Sequence, residues 1–328
     1  MKICLVGPGI LSIPPPGWGA VEILIWDYYN EIKTGNNVTI INKKRNSANQ
    51  SDINSSYCQE LIAEINNGNY DLVHIHYDVL FHISQYLTCK HIAITSHYPY
   101  IDNKMKIRAD KFTPIFNFMI NNTKYLNFML AQKDVDYLIA NGANPNQIIK
   151  MENGINTNLF RFETNPTKKN KTIYLGKIDD RKNQHLYQNI NCIDFVGPCA
   201  CSKFDKNAAN YLGSWTRNEV FNNLTEYANL VLLSSGEADP VVVKEAMVCG
   251  LGVVLNYSSS KNLQNLDFIT IIPEQKLTDM NFVESQIELN RAISLNKREE
   301  IKKYAIEKYS MKTSCEQYLN HVQSFFNL

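Results

Sequence analysis

The sequence predicts an α/β protein made of two parallel-sheet domains, and three observations carry that prediction. Short apolar runs alternate with helix-patterned stretches along most of the chain. This pattern starts twice, at Lys2 and again near Lys171, and the polar stretch RFETNPTKKNK separates the two starts as a linker. Near-continuous apolar strands belong to sheets covered on both faces by helices, which is the condition of parallel α/β sheets. A chain of 328 residues, 44% of them hydrophobic, is long enough for two ordinary domains with a core each.

In the first half the strand-like runs are KICLV, NVTIIN, DLVHIH, HIAITSH, VDYLIAN and QIIKME; in the second they are TIYLG, CIDFVG, NLVLLSS, LGVVLN and DFITII. The first helix is AVEILIWDYYNEI, whose Val21, Leu24, Ile25 and Tyr28 follow helical spacing. The tail from NKREE to the last residue is helical in pattern.

A formal net charge of +1 argues against nucleic acid or an anionic membrane as the main partner. The start, MKICLVGPGI, reads as a first strand and not as a signal peptide. No apolar run reaches bilayer-spanning length. The eight cysteines lie mostly inside apolar runs, as free thiols do in a reducing compartment, so a cytoplasmic protein is expected. Cys199 and Cys201 are near neighbours without a second ligand pair, and no metal site is expected there. His74 and His76 point to one face of a strand and, with no third ligand evident, read as structural or cleft-lining.

The stretch SSGEADPVVVKEAMVCG places Glu237 and Glu245 with seven residues between them. A buried strand, NLVLLSS, precedes it. Asp239 is a favourable N-cap and Pro240 then falls at the first helical position; Gly250 stands where the helix would stop. The first-turn N–H groups, notably those of Val241 and Val242, have no intrahelical acceptor, and with the helix dipole they suit a phosphate. Glu245, one turn beyond Val241 on the same face, suits a ribose diol. Glu237 lies in the loop beyond the strand's carboxyl end, the edge at which open parallel sheets bind ligands. The pattern therefore points to a nucleotide diphosphate joined to something polyhydroxylated.

This segment resembles the E-x(7)-E signature of the retaining glycosyltransferases of family 4, which have the GT-B architecture. Other pieces resemble that family in its order: PPPGWGAVE (Pro14 to Glu22), the strand ends VHIHYD and ITSHYPY, MENGINTNLF (Met151 to Phe160), YLGKIDDRKNQ (Tyr174 to Gln184) and EKYSMKTSCEQYL near the end. The chain departs from the family pattern at Ala20, Asn156, Lys177 and Pro240–Val241, changes that bear on the identity of the donor.

The resemblance implies two Rossmann-like domains facing each other across a cleft. Residues 1–158 would form the acceptor domain and 159–308 the nucleotide-sugar donor domain, with 309–328 a helix returning to the first. It implies His97, Glu237, Lys177 and Lys182 as catalytic residues. Donor binding falls to Gly17, Gly19, Asn153, Lys177, Arg181, Lys182, Asp239, Pro240, Val241, Val242 and Glu245. Acceptor binding falls to Trp18, Tyr98, Tyr100, Lys106 and Arg108. Cations near the diphosphate would lower the barrier as charge grows on the leaving group. The expected reaction is sugar transfer with retention to a hydroxyl of a glycan, a lipid-linked or a small acceptor, with UDP or GDP as the donor nucleotide. No cofactor, no nucleic acid and no transmembrane segment are expected, while peripheral membrane contact is allowed. Metal independence is also expected, on a reading that finds no Asp-x-Asp in the chain. Two other readings stand beside this one: a non-catalytic sugar-nucleotide or glycan binder on the same fold, and an NAD-dependent oxidoreductase suggested by Gly7 and Gly9 in VGPGILS.

Overall fold

The structure, a computed structural model, describes residues 1–45 and 52–328. These divide into two compact units. One comprises Met1–Pro15, Gly19–Gly154 and Met311–Leu328; the other comprises Pro16–Trp18 and Ile155–Ser310.

The first unit runs β1 (Lys2–Val6), α1 (Ala20–Ile32), β2 (Asn37–Ile41), α2 (Ser56–Asn67), β3 (Leu72–Ile75), β4 (Ile92–Ser96), α3 (Lys104–Ala109), α4 (Thr113–Asn121), β5 (Leu126–Met129), α5 (Gln132–Ala140) and β6 (Ile148–Lys150). Its strands form one six-stranded parallel sheet in the order β2-β1-β3-β4-β5-β6. Helix α1 turns Leu24, Ile25, Tyr28 and Ile32 inward, the stripe expected of a helix lying on a sheet. VDYLIAN, read above as a strand, is instead helical and ends α5. Val135 and Leu138 are buried while Asp136 between them is exposed, a spacing of three that suits a helix stripe and not two-fold alternation. The strand of this region is LNFM, buried at all four positions.

The second unit runs β7 (Lys168–Leu175), α6 (Gln184–Tyr187), β8 (Ile193–Val196), α7 (Arg217–Asn223), β9 (Tyr227–Leu232), α8 (Val241–Val248), β10 (Gly252–Asn256), β11 (Ile269–Ile272) and α9 (Met280–Tyr309), the last interrupted at Lys297. Its five strands are parallel in the order β11-β10-β9-β7-β8. The end of the polar linker read from the sequence, Lys168 to Lys171, belongs to β7, where the pairing with β9 shifts register between Lys168 and Thr172. Leu230, Val231 and Leu232 of β9 have no exposed surface; burying side chains of this size contributes roughly 1.5–3 kcal/mol each.

Helix α9 meets this sheet through a polar stripe. Asn290 donates to the carbonyls of Val253 and Phe268, Ser294 to that of Ala228, and Arg298 to those of Glu163, Thr225, Tyr227 and Cys249. All three side chains are buried, and their hydrogen bonds offset the desolvation that burial costs them. The final helix, α10 (Met311–Phe326), belongs to the first unit. Among the described residues no helix is long and apolar enough to cross a membrane.

Candidate functional site

In the second sheet the strand order reverses between β7 and β9. Open parallel sheets bind ligands outside the carboxyl ends of the strands at such a point. The segments that leave those two ends are Gly176–Asn183 and Leu233–Pro240. Gly176 has φ 150°, and a Cβ there would lie 3.4 Å from Lys182 Cε. That positive φ is what favours glycine here, since the Lys182 side chain would make only ordinary contact with a Cβ. Tyr174, the buried penultimate residue of β7, ties the two segments together. Its hydroxyl donates to the Lys182 carbonyl and accepts from the Leu233 N–H at 3.0 Å.

Glu237 sits at the centre. Its Oε1 accepts from Lys182 Nζ at 2.7 Å, Arg181 Nη1 at 2.9 Å and Ser234 Oγ at 2.7 Å. Burial pushes its carboxyl up, but the charges of Lys182 and Arg181 more than offset this and hold it down at about 2. Backbone contacts fix the loop around it. The Ser235 N–H donates to the Arg181 carbonyl, the Glu237 N–H to the Ser258 carbonyl, and Asn183 and Asn256 side chains to the carbonyls of Leu233 and Ser234. A carboxylate held ionised can accept sugar hydroxyls, and the cations beside it complement phosphate oxygens.

Helix α8 follows. Its N-cap is Pro240, not Asp239 as the sequence suggested, and no side chain caps it. Asp239 instead pairs through Oδ2 with Lys244 Nζ at 2.6 Å, with side chains only 2% and 1% exposed. Lys244 Nζ also lies 4.8 Å from the centre of the Tyr309 ring. A buried lysine needs a counter-charge more than the helix start needs a cap, because an unpaired buried charge costs several kcal/mol, against about 1 kcal/mol for a cap. The Asp239 carboxylate is thus engaged through Oδ2 with Lys244 inside the second unit. Glu245 is buried, and its Oε1 accepts from Arg217 Nη2 of α7 at 2.7 Å. That cation was not foreseen.

Lys177 Nζ lies 5.6 Å from the centre of the Trp18 ring, whose residue is 42% exposed. A Cβ on Gly17 would come within 2.7 Å of the Trp215 carbonyl. Gly17 is therefore held by close packing on the backbone of its own unit.

The first unit gathers a different set. Gly19, with φ 122°, is the N-cap of α1, and a Cβ there would lie 2.9 Å from Glu22 Oε2. His97 and Asn153 line a cavity of about 10 Å³ together with His74, His76 and Tyr318, which has room for a single water at most. His74 bonds Tyr318 Oη at 3.1 Å and Thr95 Oγ1 at 2.7 Å. Burial drives it down to about 3, and it drives His76 well below the usual histidine value. The ring centres of the two lie 3.8 Å apart. Of the expected acceptor residues, Tyr98 is turned into the core. It stacks on Phe112 at 3.9 Å and donates to Asp110 Oδ2 at 2.8 Å. Lys106 Nζ lies 5.2 Å from the Tyr100 ring centre, and Arg108 is exposed on α3.

The Gly7–Gly9 turn is filled by the protein itself. The Gly9 N–H donates to Asn42 Oδ1 at 2.8 Å, and a Cβ on Gly7 or Gly9 would meet Asn42 Oδ1 at 2.4 Å or the Lys43 carbonyl at 2.2 Å. Those glycines admit the end of β2 where a dinucleotide would need to approach. The expectation of metal independence passed over Asp134-Val135-Asp136, an Asp-x-Asp of the first half. It lies on α5 with Asp134 fully buried, inside a helix and not at a strand end. The sequence reading also missed Ser234, Arg217 and Asn256. Ser234 stands three residues before Glu237 and so carried a local signal; the other two are brought in by the topology alone.

No protein-family model matches the sequence, and no curated protein matches it. Solved structures match over nearly the whole length. Sucrose-phosphate synthase from Thermosynechococcus elongatus aligns with a TM-score of 0.74 at 14% identity, covering 99% of each chain. Anabaena Alr3699/HepE in complex with UDP-glucose aligns at 0.72 and 15%, covering 99% of this chain and 100% of that one. AviGT4, a glycosyltransferase involved in avilamycin A biosynthesis, aligns at 0.71 and 13%, covering 100% and 98%. At such identities the likeness is one of fold: two parallel sheets of six and five strands with helices, the arrangement of GT-B glycosyltransferases.

Proposed function

We propose that this chain is a glycosyltransferase that moves a sugar from a nucleotide-diphosphate sugar to an acceptor hydroxyl, retaining anomeric configuration and needing no metal for the transfer. The observation that carries this reading is the ionised Glu237 held by Lys182 and Arg181 at the sheet's reversal point, one short turn before the start of α8. The UDP-glucose bound by the Anabaena neighbour supports a nucleotide-sugar donor.

In this reading the diphosphate lies at the N–H groups of Val241 and Val242 with Lys182, Arg181 and Lys177 around it. The bond between the anomeric carbon and the phosphate oxygen breaks, and its electron pair goes to that oxygen. The cations stabilise the charge that grows there. The acceptor oxygen bonds to the anomeric carbon on the same face, and its proton passes to the departing phosphate oxygen. Glu237 holds donor-sugar hydroxyls and the positive charge that develops at the anomeric carbon. Glu245 holds the ribose diol, with Arg217 fixing its carboxylate. His97 and Asn153 are assigned to sugar recognition, and Trp18, Tyr100, Lys106 and Arg108 to the acceptor. Eight free cysteines support a reducing compartment, and we place the activity in the cytoplasm.

The test is a panel of UDP-, GDP- and ADP-sugars with simple hydroxyl acceptors, read by nucleotide release and by NMR of the product anomer. The expected result is turnover of one nucleotide class with retained configuration, lost in Glu237→Ala. Nucleotide binding without turnover would make the chain a binder, binding of NAD alone an oxidoreductase, and an inverted product would overturn retention.

A further inference from the structure

Three metal-ligating side chains converge outside the cluster just described. Asp180 stands in the loop after β7, His185 in α6, and Cys201 in the loop after β8. One ligand atom of each lies within 4.8 Å of the other two, and Cys201 Sγ is 3.4 Å from Asp180 Oδ1. Ligand atoms around a tetrahedral zinc sit about 3.3–3.8 Å apart, given bonds of about 2.0–2.3 Å, so a shift of about 1 Å would complete the set. The backbone already holds two of the three segments side by side. The Ile178 N–H donates to the Pro198 carbonyl at 2.9 Å and the Ala200 N–H to the Ile178 carbonyl at 2.8 Å.

Two further observations bear on a ligand. The Nδ1 atom of His185 is buried and has no hydrogen-bond partner, a state that costs about 1–3 kcal/mol unless something satisfies it. Cys201 is buried, while Asp180 is exposed, so the trio has a dry inner side and a wet outer one through which an ion and a water could enter. Lys203 Nζ lies 3.3 Å from Asp180 Oδ1, with both side chains more than 60% exposed. That lysine competes for the carboxylate and is free to swing out.

We propose that Asp180, His185 and Cys201 form a binding site for a divalent cation of the zinc class, with solvent as the fourth ligand. A thiolate, an imidazole and a carboxylate together select borderline metals over magnesium or calcium, which require oxygen ligands throughout. The thiol proton leaves as the ion binds. Asp180 directly precedes Arg181 and Lys182, so the ion staples the loop that carries both cations to Glu237. The site takes no part in the sugar-transfer reading above and stands or falls without it. Sequence spacing hid it, because the ligands come from three separate turns and Cys199, the near neighbour of Cys201, is turned away with its thiol 3.5 Å from the Cys201 carbonyl.

The test uses the purified full chain stripped of metal, with zinc alone and then cobalt(II) as probes. The expected results are one zinc per chain in chelator competition and a thiolate-to-cobalt charge-transfer band. Cys201→Ser and His185→Ala each lower zinc affinity by at least about 100-fold, the upper range for lesser perturbations of metal sites, and Cys201→Ser abolishes the band. Asp180→Asn, at an exposed position that leaves the fold intact, lowers affinity and removes the rise in melting temperature that zinc gives the wild type. Lys203→Ala tightens binding, and Cys199→Ser leaves it unchanged. Sub-stoichiometric zinc in the wild type, equal affinity in Asp180→Asn, or an equal loss in Cys199→Ser would overturn the proposal.

Discussion

The second unit buries a carboxylate and the first buries a pair of histidines, and the two sites resolve the same problem in opposite ways. Around Glu237, Lys182 and Arg181 supply counter-charge, and the carboxyl stays ionised down to about 2 despite its burial. Around His74 the partners are a phenol, an alcohol and another imidazole. None of these carries a counter-charge, and burial keeps the ring neutral down to about 3. Burial alone selects the neutral form of a group; a buried charge persists where opposite charges, or hydrogen bonds to the charged form as around Arg298, are arranged around it. Such charges stand at the carboxyl edge of the second sheet, around Glu237, where the proposed sugar transfer places its charge. The His74–His76 pair belongs to the core of the first unit.

The strongest way to break this contrast is to remove the charge at its centre. Glu237→Ala is expected to lower sugar-nucleotide turnover roughly 100- to 1,000-fold, the range for loss of one preorganised electrostatic group, with a smaller effect on nucleotide affinity; turnover at the wild-type rate would contradict its role. Next in size, Glu245→Ala is expected to weaken nucleotide binding by roughly 10-fold, the value of about 1.4 kcal/mol for a charge-assisted hydrogen bond to the ribose, measured by calorimetry with UDP and GDP. Unchanged affinity for both would remove Glu245 from the site.

Acid sharpens the comparison with a smaller effect. His74 is neutral when folded, its value depressed from 6.5 to about 3. Its contribution to stability is therefore complete above pH 6.5 and is lost as pH falls towards 3. Glu237 is depressed from 4.5 to about 2, so its contribution is complete above pH 4.5 and is lost between there and pH 2. Melting temperature is expected to decline in two stages on acidification. His74→Gln should soften the stage that begins near pH 6.5, and Glu237→Gln the stage that begins near pH 4.5. A single decline, untouched by His74→Gln, would contradict the account of the first unit.

Much of this architecture could be read from the residues. The buried strands are apolar throughout, and α1 and α8 announce themselves through periodicity and a proline–glycine frame. Three things could not be read. VDYLIAN carries β-branched and aromatic residues in a short run, so its three-residue spacing was outweighed by composition. The stripe Asn290, Ser294 and Arg298 has the polarity of a solvated helix face, yet it is buried against β-sheet carbonyls; only the packed fold supplies those acceptors. At the candidate site, Glu237, Lys182 and Arg181 were legible as motif residues. The Arg217 partner of Glu245, 28 positions away, and the buried pairing of Asp239 with Lys244 depend on tertiary geometry that no local pattern encodes.

The central claim is that the loop carrying Lys182, together with the start of α8, holds a nucleotide's diphosphate. Calorimetric titration of UDP and uridine, with GDP and guanosine in parallel, into the wild type and Lys182→Ala tests it directly. The diphosphate is expected to bind at least about 10-fold more tightly than its nucleoside, a difference of about 1.4 kcal/mol. Lys182→Ala should remove most of that advantage while leaving nucleoside affinity unchanged. Equal diphosphate affinity in the two proteins, or a nucleoside that binds as tightly as its diphosphate, would contradict it.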